Sequence, residues 1–279
     1  MSEYKGIKGF SIQSLSADPA DPNIGQVWYN STSSSWKVTS VTTAGAWASG
    51  NPINTTRYSL AGCGTQTAGL AFGGYDGTAN TGATEEYGGV SWVTSNPLNT
   101  ARNSLSGAGT QTAALAFGGT PPVTGATEEY DGNSWTSGNS LNTARESLAS
   151  AGIQTATLAF GGLTPAATGA TEEYDGTSWA TSPGSLNTAR YSLAGAGIQT
   201  AGLAFGGEVG AETGATEEYD GTSWATSPAS MSTGRKNLGG TGTAAAGLTF
   251  GGVSPSGQTA ATEEWTGPGA AVTKTITVS

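Results

Sequence analysis

Histidine is absent from the 279 residues, cysteine occurs once, and charged side chains make up only 11% of the chain. Without histidine there is no Ser-His-Asp triad, no imidazole acid/base catalysis and no histidine metal site. One cysteine excludes an internal disulfide. Cys63 stands where Ala108, Ala151 and Ala196 stand in sister segments, so it reads as a small packed hydrophobe rather than a nucleophile or ligand. No run approaches the roughly 20 apolar residues that span a bilayer, and "MSEYKGIKGF" lacks the apolar core of a secretory signal, so neither a span nor a standard signal is expected. Basic residues are scarce too: 10 Lys and Arg against 20 Asp and Glu give a net charge of -10 and leave no basic stripe for a phosphate backbone. Nucleic-acid binding is therefore not expected.

What the chain has in abundance is glycine, 45 residues, together with Thr, Ser, Ala and eight Trp. Short runs bounded by turn residues, with no helical Leu/Glu/Lys pattern, predict an all-β chain. Phe-Gly-Gly recurs at Phe72, Phe117, Phe160, Phe205 and Phe250, 45, 43, 45 and 45 residues apart, and the text between the anchors repeats as closely. A fixed period of this size means a solenoid, a propeller or an array. Aromatic residues at fixed phase argue for a packed core rather than a disordered low-complexity chain.

Within the unit "RYSLAGAGIQTAGLAFGG…TGATEEYDGTSW", the small-residue runs "SLAGAG" and "TAGLAFGG" predict two strands and "ATEEY" a third. The Asp-Gly that follows predicts a tight hairpin into a fourth strand carrying Trp. Four antiparallel strands per period of about 45 residues, repeated radially, describe a β-propeller blade. The unit resembles the kelch repeat, which carries a Gly-Gly pair ending the second strand, an aromatic ending the third and a Trp in the fourth. Here these are Gly73-Gly74 with Tyr87 and Trp92, Gly118-Gly119 with Tyr130 and Trp135, Gly161-Gly162 with Tyr174 and Trp179, and Gly206-Gly207 with Tyr219 and Trp224. The fold expected is a five-bladed kelch-type β-propeller of four-stranded antiparallel blades.

The fifth repeat departs from the pattern. Trp265 stands at the tyrosine position after Gly251-Gly252, and no "DGTSW" follows. Trp47 precedes Arg57 by ten residues, as Trp92 precedes Arg102 and Trp135 precedes Arg145, so an N-terminal strand around Trp47 is expected to close the fifth blade. The rival strand is the C-terminal "AVTKTITVS". This reading divides the chain into an N-terminal attachment segment with a hairpin (1–46), the propeller (47–265, repeats starting near Arg57, Arg102, Arg145, Arg190 and Arg235) and a C-terminal strand or tail (266–279).

Paired carboxylates recur in every repeat, from Glu85-Glu86 to Glu263-Glu264. Neighbours on a strand point to opposite faces, so a pair cannot act on one bond as a glycosidase dyad. One Glu per repeat is expected to meet the single Arg per repeat as a structural ion pair, because five equivalent sites look like scaffold and a catalytic site usually breaks symmetry. The Gly-Gly pairs lack the Lys and helix of a phosphate loop. No enzymatic activity, cofactor or metal is expected.

Variation falls on one face. The loops between the second and third strands read "YDGTAN", "TPPV", "LTPAA", "EVGAE" and "VSPSGQ", whereas the tight turns are near-copies. That face is the candidate binding surface, with Tyr75, Asp76, Asn80, Glu208 and Glu212 the polar groups expected to touch carbohydrate. In the N-terminal segment, "GQVWYNSTSSSWKV" predicts a hairpin bearing Trp28 and Trp36 and resembles one common in structural proteins of tailed phages; together with the repeats, it makes the chain similar to kelch-like proteins of marine cyanophages. The resemblance implies a virion location: a capsid-decoration, fibre or tail-fibre component, joined to other virion proteins through its N-terminal segment, as a homo-oligomer in one form of the expectation, with host-surface glycans as ligand. The alternative is a cellular kelch-type adaptor binding another protein; a glycan-processing enzyme ranks last.

Overall fold

The structure, a computed structural model, describes residues 13–17, 27–32, 34–38 and 50–267. The chain divides into two compact units, residues 1–49 and 50–279. In the first, β2 (Val27–Asn30) and β3 (Ser35–Val38) form the expected hairpin, with Tyr29 opposite Trp36. A short strand that the sequence did not announce, β1 (Gln13–Leu15), pairs parallel with β2.

The second unit is the five-bladed β-propeller, and the described residues contain no helix. Blade 1 holds β4 (Ala61–Thr65), β5 (Ala68–Phe72), β6 (Thr84–Tyr87) and β7 (Trp92–Ser95); blade 2 holds β8 (Ser106–Thr110), β9 (Ala113–Phe117), β10 (Thr127–Tyr130) and β11 (Trp135–Gly138). Blade 3 holds β12 (Ala149–Ile153), β13 (Ala156–Phe160), β14 (Thr171–Tyr174) and β15 (Trp179–Thr181); blade 4 holds β16 (Ala194–Ile198), β17 (Ala201–Phe205), β18 (Thr216–Tyr219) and β19 (Trp224–Thr226). In blade 5, β20 (Gly239–Gly242) and β21 (Ala246–Phe250) are followed by a two-strand tip, β22 (Val253–Ser254) and β23 (Gly257–Gln258), and then β24 (Thr262–Thr266). Each sheet is antiparallel in chain order, and the innermost strands β4, β8, β12, β16 and β20 neighbour one another in turn.

Local chemistry explains the repeat letter by letter. At the tight turn, Asp131 Oδ1 accepts the amides of Asn133 (2.9 Å) and Ser134 (2.7 Å) while Gly132 takes φ 91°, which sets Tyr130 opposite Trp135. At the Phe-Gly-Gly anchor, Gly118 has φ 69°, and a Cβ there would lie 2.7 Å from the Arg145 carbonyl. The Gly119 amide donates to that same carbonyl (3.0 Å), so the glycine pair is the joint where the linker to the next blade docks.

Strand alternation sends the two glutamates to different duties. The first of each pair meets the blade's arginine: Glu85 with Arg57 (3.2 Å), Glu128 with Arg102 (2.5 Å), Glu172 with Arg145 (3.1 Å), Glu217 with Arg190 (3.3 Å) and Glu263 with Arg235 (2.7 Å). The same carboxylates accept linker amides, as Glu172 does from Asn142 (2.7 Å) and Thr143 (3.2 Å). The second glutamate faces the next blade, where Glu86 accepts from Tyr130 (2.5 Å), Glu129 from Tyr174 and Glu173 from Tyr219 (2.6 Å).

Between blades the core is aromatic. Trp135 lies 4.9 Å from Phe72 of the preceding blade and donates to Thr84 Oγ1 (3.0 Å). Trp179 repeats this on Phe117 and Thr127, and Trp224 on Phe160 and Thr171. Gln111, Gln154 and Gln199 add further ties, each side-chain amide donating to two carbonyls of the preceding blade, such as Ala114 (3.0 Å) and Tyr130 (2.7 Å) for Gln154.

Blade 5 has three main strands among the described residues, and β24 is its outer edge. Leu203, Phe205, Thr216, Met231, Leu248 and Trp265 surround a cavity of ≈ 70 Å³ open to solvent, at the place equivalent to the indole sites of the other interfaces. Asn54, Asn99, Asn142 and Asn187 each donate to the carbonyl of their blade's Trp; Ser232 occupies that position in blade 5. Asn51 donates to Val90 O (2.8 Å) as Asn96 and Asn139 donate to the corresponding turns of the blades after theirs. The closing strand expected around Trp47, and its C-terminal rival, lie outside the described residues.

Candidate functional site

The loops between second and third strands and the linkers between blades emerge together, and backbone bridges join them. Tyr58 pairs with Tyr75, Asn103 with Thr120, Glu146 with Leu163, Tyr191 with Glu208 and Lys236 with Val253. Each linker residue directly follows a clamp arginine, so the buried ion pairs anchor the rim of this face.

One residue further on, the chain turns to the axis. Ser59, Ser104, Ser147, Ser192 and Asn237 all adopt φ between 52° and 53°. This left-handed backbone lets each amide reach the preceding blade: Ser104 N donates to Ser59 O (2.9 Å), Ser147 to Ser104 (2.8 Å), Ser192 to Ser147 (2.8 Å) and Asn237 to Ser192 (2.9 Å). Leu60, Leu105, Leu148, Leu193 and Leu238 follow, and all but the half-buried Leu60 are buried, with 6–8% of their surface exposed. Together with Tyr58, these residues line a cavity of ≈ 490 Å³ at the centre of the variable face.

The five residues expected to bind carbohydrate fall around this mouth in two groups. On one side Tyr75 lies 5.4 Å from Tyr58, whose side is 61% exposed, and Asn80 Oδ1 accepts from Asn103 Nδ2 (2.6 Å). Asp76 is occupied in shaping its loop: its Oδ1 accepts the amides of Thr78 and Ala79 (both 2.8 Å), and these amides hold its carboxyl below the usual value. On the other side Lys236 Nζ meets both Glu208 (2.6 Å) and Glu212 (3.2 Å). The hydrogen bonds from Lys236 and then Tyr191 lower the Glu208 carboxyl, while Glu208 and then Glu212 raise the Lys236 ammonium. The structural repeat residues Trp92, Trp135, Trp179 and Trp224 start the fourth strands of their blades, and the five buried arginines each precede a rim residue.

Sequence reasoning missed Tyr58, Asn103, Glu146, Tyr191 and Lys236, which complete the rim. Their signal is a single varying letter between a constant Arg and a nearly constant Ser-Leu. It also passed over the serines, which read as the start of the first strand ("SLAGAG"), whereas the strand begins at Ala194 and Ser192 takes a left-handed φ ahead of it. Cys63 takes no part: its thiol points at Thr110 O (3.5 Å), and burial pushes it up to about 12. Among the described residues no three His, Cys, Asp or Glu side chains are grouped to hold a metal ion. Compared with known proteins, no family model matches the chain, and no curated protein matches it.

Proposed function

We propose that this protein is a non-enzymatic structural component of a phage particle, displayed on its surface as a capsid decoration or fibre, and that its variable face engages host-surface glycans. The observation that carries the reading is that the variable loops between second and third strands, and the one varying letter after each arginine, gather around one axial mouth whose Ser/Asn-Leu lining is nearly constant. Rigid frameworks place recognition on the loops they hold, and an aromatic pair beside hydroxyl and amide groups suits a sugar's apolar face and hydroxyl rim. Non-enzymatic action fits the carboxylates, since the first glutamate of each pair is committed to an arginine. The virion location rests on the resemblance of the N-terminal hairpin and repeats to phage structural proteins; that segment is the proposed joint to other virion proteins.

The test is to incubate the full-length protein with a panel of host-surface oligosaccharides and measure both binding and product formation. Binding without turnover, weakened by Tyr58→Ala, supports the reading. Turnover of any glycan, or no binding to the panel, overturns it.

A further inference from the structure

The serines of the axial ring raise a question that the backbone alone does not answer. A left-handed φ near 52° is most easily adopted by glycine or asparagine, yet four of the five ring positions carry serine and only Asn237 follows the preference. The backbone bonds from blade to blade require the angle but not the hydroxyl, since glycine would donate the same amide. What serine adds is a hydroxyl on a residue that lines the cavity; the Ser104 hydroxyl donates to Asn103 Oδ1 (2.8 Å) and keeps its lone pairs as acceptors.

The surroundings define what those hydroxyls could meet. The cavity wall is serine, asparagine and leucine, with Tyr58 at the lip, and it contains no carboxylate, ammonium or guanidinium. Lys236, the one cation on the rim among the described residues, is already engaged by two carboxylates. The other charged residues that pair at the rim, Glu146, Glu208 and Glu212, are acidic, and the chain's net charge is -10. An anionic ligand would find no free partner, and the hydroxyls, as both donors and acceptors, match a neutral polyhydroxyl compound whose C–H face meets the leucines.

We propose that the axial cavity is a binding subsite for one neutral sugar unit, read by the hydroxyls of Ser59, Ser104, Ser147 and Ser192 over a floor of leucines. This inference rests on the glycan reading above and goes beyond it by placing the sugar on the axis instead of on the loop tips and by requiring it to be uncharged.

The experiment titrates the full-length protein with methyl glucoside, methyl galactoside, methyl mannoside, N-acetylglucosamine and a sialylated trisaccharide, using saturation-transfer NMR and calorimetry. The decisive variant is Ser104→Gly/Ser147→Gly/Ser192→Gly, which removes three hydroxyls while easing the backbone; the corresponding triple alanine variant removes them without easing it. Expected is binding of at least one neutral glycoside by the wild type, about tenfold or more weaker in both variants, with unchanged thermal midpoint in the glycine variant and unchanged binding in Tyr75→Ala/Asn80→Ala. Equal binding by wild type and both serine variants, with loss in the loop variant, leaves the glycan reading standing and overturns the axial subsite. Preference for the sialylated trisaccharide overturns the neutral requirement. Failure of the wild type to bind any of the probes overturns the glycan reading and the subsite with it.

Discussion

Replacing Arg145 with methionine should destabilise the propeller by about 3–5 kcal/mol, because it leaves a buried carboxylate without its counter-charge. Arg145 and Glu172 have side-chain exposures of 0% and 1%. Besides Glu172, the guanidinium donates to the carbonyls of Gly161 (3.2 Å) and Ala170 (2.5 Å), so three acceptors each lose one donor together. Desolvation holds the Arg145 guanidinium below its usual value, with Glu172 partly offsetting it, so the pair is costly to split even if its net contribution to stability is modest. Arg235 supplies an internal control: its partner Glu263 is 25% exposed, and water can solvate that carboxylate when the arginine is gone. Arg235→Met should therefore cost roughly half as much or less. Urea unfolding followed by tryptophan fluorescence measures both. A loss below about 1 kcal/mol for Arg145→Met, or equal losses at the two sites, would refute the claim that burial of the clamp sets its energetic weight.

Other outcomes follow from the same geometry. Trp179→Ala should cost about 3–5 kcal/mol by opening the interface with Phe117, whereas Thr127→Val, which removes only the acceptor for the indole N–H, should cost about 1 kcal/mol; urea midpoints distinguish them. Acid should weaken the fold through the turns: amide donors, led by Ser134, Ser178 and Ser223, depress the carboxyls of Asp131, Asp175 and Asp220. Their stabilisation is present above the unfolded-state value, near 3.9, and is lost as pH falls through the lower folded value. The triple Asp→Asn variant should flatten this part of the urea-midpoint profile between about pH 4 and pH 2. At the alkaline end burial, followed by the hydrogen bonds to Glu86 and Glu173, pushes Tyr130 and Tyr219 up to about 12. Their phenolate absorbance should appear only there, and the stability they contribute should fade as pH rises through the same value.

The blade was legible because each of its signals is local. Asp-Gly names its own turn, Trp and Tyr stand at fixed phase, and alternation separates the two glutamates without any knowledge of tertiary structure. The arginine could be matched to a glutamate because there is one per repeat. The binding face was legible only in outline. Tyr58 and Tyr75 lie far enough apart in sequence that only the bridge between linker and loop unites them, and the part Asp76 plays in shaping its own loop shows only in its short-range amide contacts. The tie made by Gln154 was not legible because its partners, Ala114 and Tyr130, belong to another blade. The strand at Gln13–Leu15 is too short to show alternation, and its parallel pairing with β2 depends on a distant segment.

The most direct test of the account is a density map of the phage particle proposed to carry this protein. The account predicts that the N-terminal segment is docked on a neighbouring virion protein and that the face bearing Tyr58, Tyr75 and the axial serines points to solvent. If that face is buried against another particle protein, its variable residues are assembly contacts, and the proposed role in recognising host glycans is contradicted.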